Sequence, residues 1–203
     1  MKILFLLLLI FLSVIPAQAK PVELVFWHAM AGHLGDEVRL LADDFNKSQN
    51  QYRVKPIYKG NYTETLTNFA AAFRARQAPS IVQIFEVGTS IMLAPPGVIK
   101  PVDLLMSEQG ISLPKDDFIQ SVREFYSRDG QLMAMPFNLS APVLYYNADI
   151  LAKVGYGKHN FPQTWSAMEI MAEKIKKAGY DCTYTTAYPG WVLFESFLAI
   201  HGL

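Results

Sequence analysis

Strand-like and helix-like segments alternate along residues 22–86, and this alternation restricts the fold more than any other feature of the sequence. β-rich runs occupy residues 22–27, 54–58 and 81–85. Apolar residues at helical spacing follow the first run at Leu34, Val38, Leu41 and Phe45, and the second at Leu66, Phe69, Ala70 and Phe73. Asn61, with Glu64 three residues later, predicts a capping box at the second helix. Such βα units predict an open α/β sheet of parallel strands.

Aromatic and acidic residues stand where each of these predicted strands ends. Trp27 and His28 close the first run, Tyr62 follows the second, and Glu86 closes the third. In open α/β sheets, ligands bind at the edge where strands end and helices begin. We therefore expect these side chains to line one edge of the sheet, with Trp27 and His28 as residues that could line a cleft.

The sequence predicts shorter elements in the remainder of the chain. Pro and Gly residues interrupt the region between residues 94 and 130, which can hold helices over residues 102–106 and 116–126. Asp129-Gly130 predicts a tight turn. Further helices are predicted over residues 149–154 and 166–178, the second with Met168, Met171, Ala172 and Ile175 on one face.

The N-terminus has the pattern of a secretory signal peptide over residues 1–19. A positive Lys2 precedes residues 3–15, which are apolar except for Ser13, and Ala17-Gln18-Ala19 forms a small-residue cleavage site. The alternative is an uncleaved N-terminal anchor, although the apolar run is short for a membrane span. Lys20, rather than a cysteine, follows the cleavage point, so a lipoprotein is excluded. The sequence thus predicts a soluble, exported protein.

Charge and cysteine content bear on nucleic-acid binding, disulfide formation and cysteine-based catalysis. The 203-residue chain carries 18 basic and 18 acidic side chains, and this balance predicts no nucleic-acid partner. Cys182 is the only cysteine, so no internal disulfide can form. We interpret Cys182 as a small buried hydrophobic residue rather than a nucleophile, because no His or Asn constellation accompanies it.

Signals for catalysis and cofactor binding are weak. The P-loop and G-x-G-x-x-G patterns are absent, and Gly88-Thr89-Ser90 lacks the flanking glycine of a nucleophile elbow. His28 and His33 are five residues apart, a spacing that does not stack two imidazoles on a helix face. The sequence therefore predicts no catalytic residue, no cofactor and no metal site.

Aromatic and hydroxyl-bearing residues at predicted strand ends suit a small polyol. The set comprises Trp27, Tyr62, Ser140, Tyr188 and Trp191. Aromatic rings can pack on the C–H faces of such a ligand, while hydroxyl and carboxylate groups order its hydroxyls. For the aromatic residues alone, packing in the core is the competing interpretation.

Five runs carry a resemblance to a known family. They read "FWHAMAGHLGDEV", "PIYKGNYTETL", "QIFEVGTSIM", "PFNLSAPVLYYN" and "PGWVLFESF". These runs resemble the family 1 extracellular solute-binding proteins, and within that family the periplasmic components that capture sn-glycerol 3-phosphate for ABC importers. The resemblance implies a type II periplasmic-binding-protein-like α/β fold of two lobes. It also implies a first lobe over residues 20–138, and a crossing segment with a partial second lobe over residues 139–203.

The same resemblance implies named ligand contacts. Tyr62, Glu86 and Ser140 fall on the family's ligand-binding positions. Tyr188 and Trp191 fall on the two Trp positions of a W-x-G-W motif that stacks against ligand, with Tyr188 replacing the first Trp. The resemblance also implies that family members are about twice as long and carry further ligand residues, including an Arg and a Tyr, in the half that is missing here.

The stretch of residues 134–147, "AMPFNLSAPVLYYN", interrupts apolar runs with Pro, Asn and Ser. We interpret residues 138–141 as the crossing between the lobes, with Ser140 facing the cleft and residues 143–145 starting the next strand. The competing interpretation of the Asn and Ser is ordinary turn chemistry.

The favoured function is therefore periplasmic capture of sn-glycerol 3-phosphate, or of a glycerophosphodiester, and its delivery to the membrane permease subunits of an ABC transporter. One alternative is a truncated remnant of such a protein that no longer binds ligand tightly, and a related one is a binder of another sugar or polyol. A periplasmic phosphodiester hydrolase is a third alternative, which would need a metal site or nucleophile that the sequence does not display.

Overall fold

A computed structural model describes residues 20–203, so the predicted signal peptide lies outside the described residues. The described chain divides into two units. Unit 1 ends at Phe137, and unit 2 is Asn138–Leu203. Within residues 20–203, every helix is too short or too polar to cross a lipid bilayer.

Unit 1 is organised by a parallel sheet. The chain runs through β1 (Val22–His28), α1 (Gly32–Ser48), β2 (Tyr52–Tyr58), α2 (Tyr62–Arg74) and β3 (Ile81–Val82). The strands lie in the order β2-β1-β3, and both neighbours of β1 run parallel to it. Trp27 near the end of β1 pairs with Ile57 on one side and Val82 on the other. The predicted α/β sheet is thus confirmed.

The two long helices of unit 1 bury their apolar faces to different extents. In α1, Val38 and Ala42 are buried, whereas Leu34 and Leu41 of the predicted face are 59% and 63% exposed. In α2, Phe69 is buried as its spacing predicts. The α1 face is therefore only partly covered by the described residues.

The third strand is shorter than predicted. Pairing with β1 ends at Val82, and α3 (Glu86–Leu93) begins three residues after Gln83. The backbone N–H of Gln83 still donates to the carbonyl of Trp27 at 2.8 Å, but its side-chain Oε1 accepts from Ala29 N–H at 2.9 Å. A hydrogen bond to the Gln83 side chain thus replaces backbone strand pairing just before α3 begins.

The rest of unit 1 consists of short elements. They are α4 (Val102–Glu108), a 3₁₀ turn (Lys115–Asp117), α5 (Gln120–Phe125), β4 (Ser127–Arg128) and β5 (Gln131–Leu132). A single helix over residues 116–126 was therefore the wrong prediction. The Ile119 carbonyl accepts from both Val122 and Arg123 N–H at 3.0 Å, so a new helix starts after Ile119.

The predicted turn at Asp129-Gly130 is confirmed. These two residues join β4 and β5 into an antiparallel hairpin and have φ values of 53° and 78°. Positive φ at both central positions is the requirement of a two-residue type I′ hairpin turn.

Unit 2 contains α6 (Ala148–Lys153), α7 (Trp165–Lys177), a π-helical stretch (Pro189–Glu195) and α8 (Ser196–Ile200). The first two match the predicted helices to within one residue at each end. Side-chain oxygens of Asn147 and Thr164 cap them by accepting backbone N–H bonds. Leu151, Met171 and Ile175 form the buried core of this unit.

Two sequence predictions in unit 2 are wrong. Residues 143–145 belong to no strand, because no described strand of unit 2 pairs with them, and Val143 and Tyr145 are 69% and 91% exposed. Cys182 is exposed rather than buried, with its thiol 3.8 Å from the carbonyl oxygen of Tyr184. It lies in an irregular segment after α7, which leaves the side chain uncovered.

Candidate ligand-binding site

Three connections of unit 1 are tied together at the carboxyl edge of its sheet. The N–H of Lys59, directly after β2, donates to the carbonyl of His28 at 2.9 Å. On the other side, Gln83 bonds to the backbone of Trp27 and Ala29. The ends of all three strands are therefore held around the end of β1, where an open α/β sheet binds its ligand.

A stacked aromatic pair joins two of these connections. Tyr62 begins α2 after β2, and Phe85 precedes α3 after β3. Their ring centroids are 5.4 Å apart with an interplanar angle of 16°. Because β1 lies between β2 and β3, this pair links the outer connections across the end of the central strand. Tyr62 is half-buried and so presents part of its surface to solvent.

Glu86 is the first residue of α3, and it is exposed. A carboxylate in the first turn of a helix is stabilised by the helix dipole and remains available as a hydrogen-bond acceptor. It directly follows Phe85, whose ring stacks on Tyr62. The structure thus brings Tyr62 and Glu86, two sequence-predicted contacts, to the same edge.

Tyr126 is a member of this cluster that the sequence did not reveal. It follows α5 and is half-buried. Burial raises the pKa of the Tyr126 hydroxyl most, the negative charge of Glu86 raises it further, and the electrostatic influence of Tyr62 adds to both. The hydroxyl therefore stays protonated at neutral pH as a hydrogen-bond donor within electrostatic reach of Glu86. No motif surrounds Tyr126, since its place depends on how the short elements after residue 94 pack.

The start of α2 is fixed by the predicted capping box. The Asn61 side chain accepts from Glu64 N–H at 2.9 Å, and the Glu64 carboxylate accepts from Asn61 N–H at 2.7 Å. Gly60 precedes it with φ at +88°, and a Cβ there would overlap the Glu64 carboxylate. The positive φ and the close Glu64 carboxylate therefore favour glycine at the turn that leads to Tyr62.

Trp27 and His28 project to opposite faces of β1, because successive side chains of a strand alternate. Trp27 is half-buried, and the Lys59 ammonium lies 4.0 Å from its ring centroid. His28 is only 4% exposed, with Phe26 and Tyr58 rings at centroid distances of 5.7 and 6.0 Å. Contact of either residue with a ligand stays a prediction.

Burial has a marked effect on His28. It lowers the pKa of the imidazole below 6.5, and a backbone hydrogen bond with Met30 acts in the opposite direction. Its Nδ1 atom is buried and finds no hydrogen-bond partner among residues 20–203. His28 is therefore neutral at pH 7 and is packed like an aromatic core residue.

The three predicted contacts in unit 2 lie in irregular or helix-initiating backbone. Ser140 is exposed in the irregular segment that opens the unit. Tyr188 precedes the π-helical stretch, has a left-handed φ of 52°, and is 75% exposed. Trp191 is half-buried three residues later, and its carbonyl accepts from the Ser196 hydroxyl at 3.1 Å. Tyr188 and Trp191 thus stand at the start of one helical segment.

Ligands for a metal do not cluster in the part of the chain that the structure describes. Among residues 20–203, no group of three or more His, Cys, Asp or Glu side chains is arranged to hold an ion.

The fold is shared with solved sugar-binding proteins. The sugar-binding protein MalE from Xanthomonas citri superposes with a TM-score of 0.61 at 23% identity, covering 78% of this chain and 38% of that protein. This likeness confirms the predicted type II periplasmic-binding-protein-like fold over the shared part. The chain belongs to the bacterial extracellular solute-binding protein family, whose profile matches residues 41–203.

Individual relatives support the same assignment. The sn-glycerol-3-phosphate-binding periplasmic protein UgpB of Yersinia pestis bv. Antiqua (strain Antiqua) is 42% identical over 182 residues, which are 89% of this chain and 41% of the relative. The UgpB of Agrobacterium fabrum is 41% identical over 179 residues, covering 87% of this chain and 41% of the relative. The chain therefore spans about two fifths of the length of these relatives, and the resemblance carried by the five motifs is confirmed.

Proposed function

We propose that the chain is part of a periplasmic protein that captures sn-glycerol 3-phosphate, or a glycerophosphodiester, for delivery to an ABC permease. The observation that carries this proposal is the meeting of Tyr62 and Glu86 at the carboxyl edge of the sheet, in a chain 42% identical to a protein named for binding sn-glycerol 3-phosphate. Export through the predicted signal peptide and a periplasmic location belong to the same proposal.

Each proposed contact has a chemical role. The Glu86 carboxylate accepts hydrogen bonds from the hydroxyls of the glycerol moiety, and the exposed part of the Tyr62 ring packs on its carbon chain. In unit 2, the Ser140 hydroxyl adds a polar contact, while Tyr188 and Trp191 supply aromatic surfaces. Binding of this kind needs no bond to break, so we expect capture without turnover.

The division of the described chain into two units near residue 138 supports an assignment to two lobes. We assign residues 20–138 to the first lobe, and residues 139–203 to the crossing segment and part of the second. In this arrangement residues 138–141 carry the chain between the lobes, and this role accounts for the polar, proline-flanked segment between two apolar runs.

Isothermal titration calorimetry tests this proposal. The ligands are sn-glycerol 3-phosphate and glycerophosphocholine, titrated to millimolar concentration, with maltose as the competing sugar. The Glu86→Ala variant is compared with Glu37→Ala, which removes an exposed carboxylate from the surface of α1. We expect saturable heat with a phosphate-bearing ligand and a roughly tenfold affinity loss in Glu86→Ala alone, the size typical of a hydrogen bond to a charged group.

Two results would overturn the proposal. The first is the absence of saturable heat with either glycerol phosphate compound while maltose binds, which would assign the site to another sugar. The second is an equal loss of affinity in Glu86→Ala and Glu37→Ala, which would remove Glu86 from the site.

A further inference from the structure

The carboxyl edge of the sheet carries a cation that is held in place without being neutralised. The Lys59 ammonium lies 4.0 Å from the centroid of the Trp27 ring. Among the described residues, no carboxylate lies within salt-bridge distance of Lys59. By contrast, Lys55 within β2 is 3.6 Å from the Glu23 carboxylate. An aromatic face attracts an ammonium group but leaves its full positive charge available to another ligand.

The backbone around Lys59 is fixed at the same point. Its N–H donates to the His28 carbonyl at 2.9 Å, and its own carbonyl accepts from the Asn68 side chain at 3.3 Å. The residue is half-buried. Since the main chain and the ammonium are both positioned, Lys59 loses less conformational freedom on binding a ligand than a solvated lysine would.

A phosphate ester that binds at this edge needs a positively charged contact. A phosphomonoester carries about 1.5 to 2 negative charges at pH 7. Glu86 at the same edge is negative and suits only the hydroxyl end of such a ligand. A cation is therefore needed for the anionic end, and Lys binds phosphate as a point charge.

We propose that Lys59, held over Trp27 at the carboxyl edge of the sheet, contacts the phosphate group of the ligand and selects it over neutral polyols. This assignment rests on the proposed function for the identity of the ligand. It adds a cationic contact to the first unit, next to the carboxylate and aromatic contacts already described.

Lys55 provides a matched control. Replacing either lysine with Met removes one positive charge from β2 or its end. Lys55 lies four residues from Lys59, or about 13 Å along an extended strand. At an ionic strength of about 0.1 M the Debye length is about 10 Å, so the charge of Lys55 is largely screened from a ligand at the edge.

Fluorine NMR of the chain labelled with 5-fluorotryptophan reads the site directly. The Trp27 signal is assigned with the Trp27→Phe variant, and the probes are inorganic phosphate, sn-glycerol 3-phosphate and glycerol. We expect both phosphate compounds to shift the Trp27 signal. We expect Lys59→Met to abolish the shift caused by inorganic phosphate and to weaken sn-glycerol 3-phosphate binding about tenfold. Lys59→Arg should retain the phosphate response, and Lys55→Met should behave as the unmodified chain.

The outcomes separate this inference from the proposed function. A chain that binds sn-glycerol 3-phosphate equally well in Lys59→Met overturns the role of Lys59 and leaves the proposed function standing. A phosphate-dependent Trp27 shift without sn-glycerol 3-phosphate binding supports the contact between Lys59 and phosphate, and it overturns the proposed function. If Lys59→Met does not fold, the unmodified chain still tests the contact between Lys59 and phosphate. That contact is overturned if inorganic phosphate does not shift the Trp27 signal.

Discussion

Gly60 joins the end of β2 to the capping box of α2 in a conformation that a larger residue would strain. Its φ is +88°, and an added methyl group would overlap the Glu64 carboxylate. We expect Gly60→Ala to lower the free energy of unfolding by about 2 to 3 kcal/mol, since the unfavourable φ and the overlap both act. Urea denaturation followed by circular dichroism measures this loss.

Gly97→Ala is the control for that prediction. Gly97 has a similar φ of +79° but open space where a Cβ would lie. The variant therefore loses stability only through the unfavourable backbone conformation. We expect a loss of about 1 kcal/mol. Equal losses in the two variants would show that the Glu64 carboxylate moves aside freely.

His28 makes the stability of the chain depend on pH. Burial lowers the pKa of its imidazole in the folded state below the unfolded value of 6.5. The unfolded chain therefore binds a proton more readily than the folded chain as the solution is acidified. Stability should fall as the pH drops below about 6.5, and this fall should end below the folded-state pKa of His28.

Denaturation midpoints between pH 7.5 and pH 5, a window of roughly one to two units around the His pKa, measure this effect. In His28→Gln the midpoint should vary less with pH, because no imidazole has to charge in the core. His159→Gln serves as the control, since His159 is exposed. An unchanged pH dependence in His28→Gln would mean that His28 is solvated in the folded chain.

At the scale of the helices and strands, the capping box of α2 positions the residues of the candidate site. Asn61→Ala removes the side-chain acceptor for Glu64 N–H, so we expect the chain to lose about 1 kcal/mol of stability. Chemical denaturation measures the loss, and Asn50→Ala is the control because Asn50 is exposed outside any helix or strand. A loss in Asn50→Ala as large as in Asn61→Ala would contradict the role of the cap.

Elements with strong local signals could be predicted from the sequence. The Asn61 and Glu64 pair predicts the start of α2, Asp129-Gly130 predicts the hairpin turn, and the apolar spacing predicts α7. In each case the residues that make the decisive contacts are within a few positions of one another. Local propensity and local hydrogen bonding therefore determine these elements.

Elements that depend on distant partners could not be predicted in the same way. Residues 143–145 have the composition of a strand but lack a described partner strand, and β3 is shortened because the Gln83 side chain replaces ladder bonds. Likewise, the clustering of Tyr62 and Glu86 followed from the topology of parallel strands, whereas Tyr126 reaches Glu86 through the packing of short elements with no periodic pattern.

At the scale of the whole molecule, unit 2 exposes an apolar segment. Val143 and Tyr145 are 69% and 91% exposed, and Leu144 and Tyr146 line a pocket of about 220 Å³ together with core residues such as Met171. Large exposed apolar side chains that lie close together favour association between copies of a protein. We expect the chain to self-associate as its concentration rises.

Sedimentation velocity at increasing concentration measures this self-association. The double variant Val143→Lys and Tyr145→Lys should shift the distribution toward monomer, because both side chains are exposed and little packing is lost. Leu40→Lys, which places a charge on the exposed surface of α1, should leave self-association as it was. A reduction of the same size in Leu40→Lys would indicate a general effect of added charge.

The proposal that this chain captures a glycerol phosphate at the carboxyl edge of its sheet is tested most directly by a ¹H–¹⁵N NMR titration with sn-glycerol 3-phosphate. We expect saturable amide shifts concentrated at residues 59–62 and 86–88 in unit 1 and at residues 188–191 in unit 2. Shifts concentrated at the opposite edge of the sheet, around residues 50–53, or the absence of any saturable shift, would contradict the proposal.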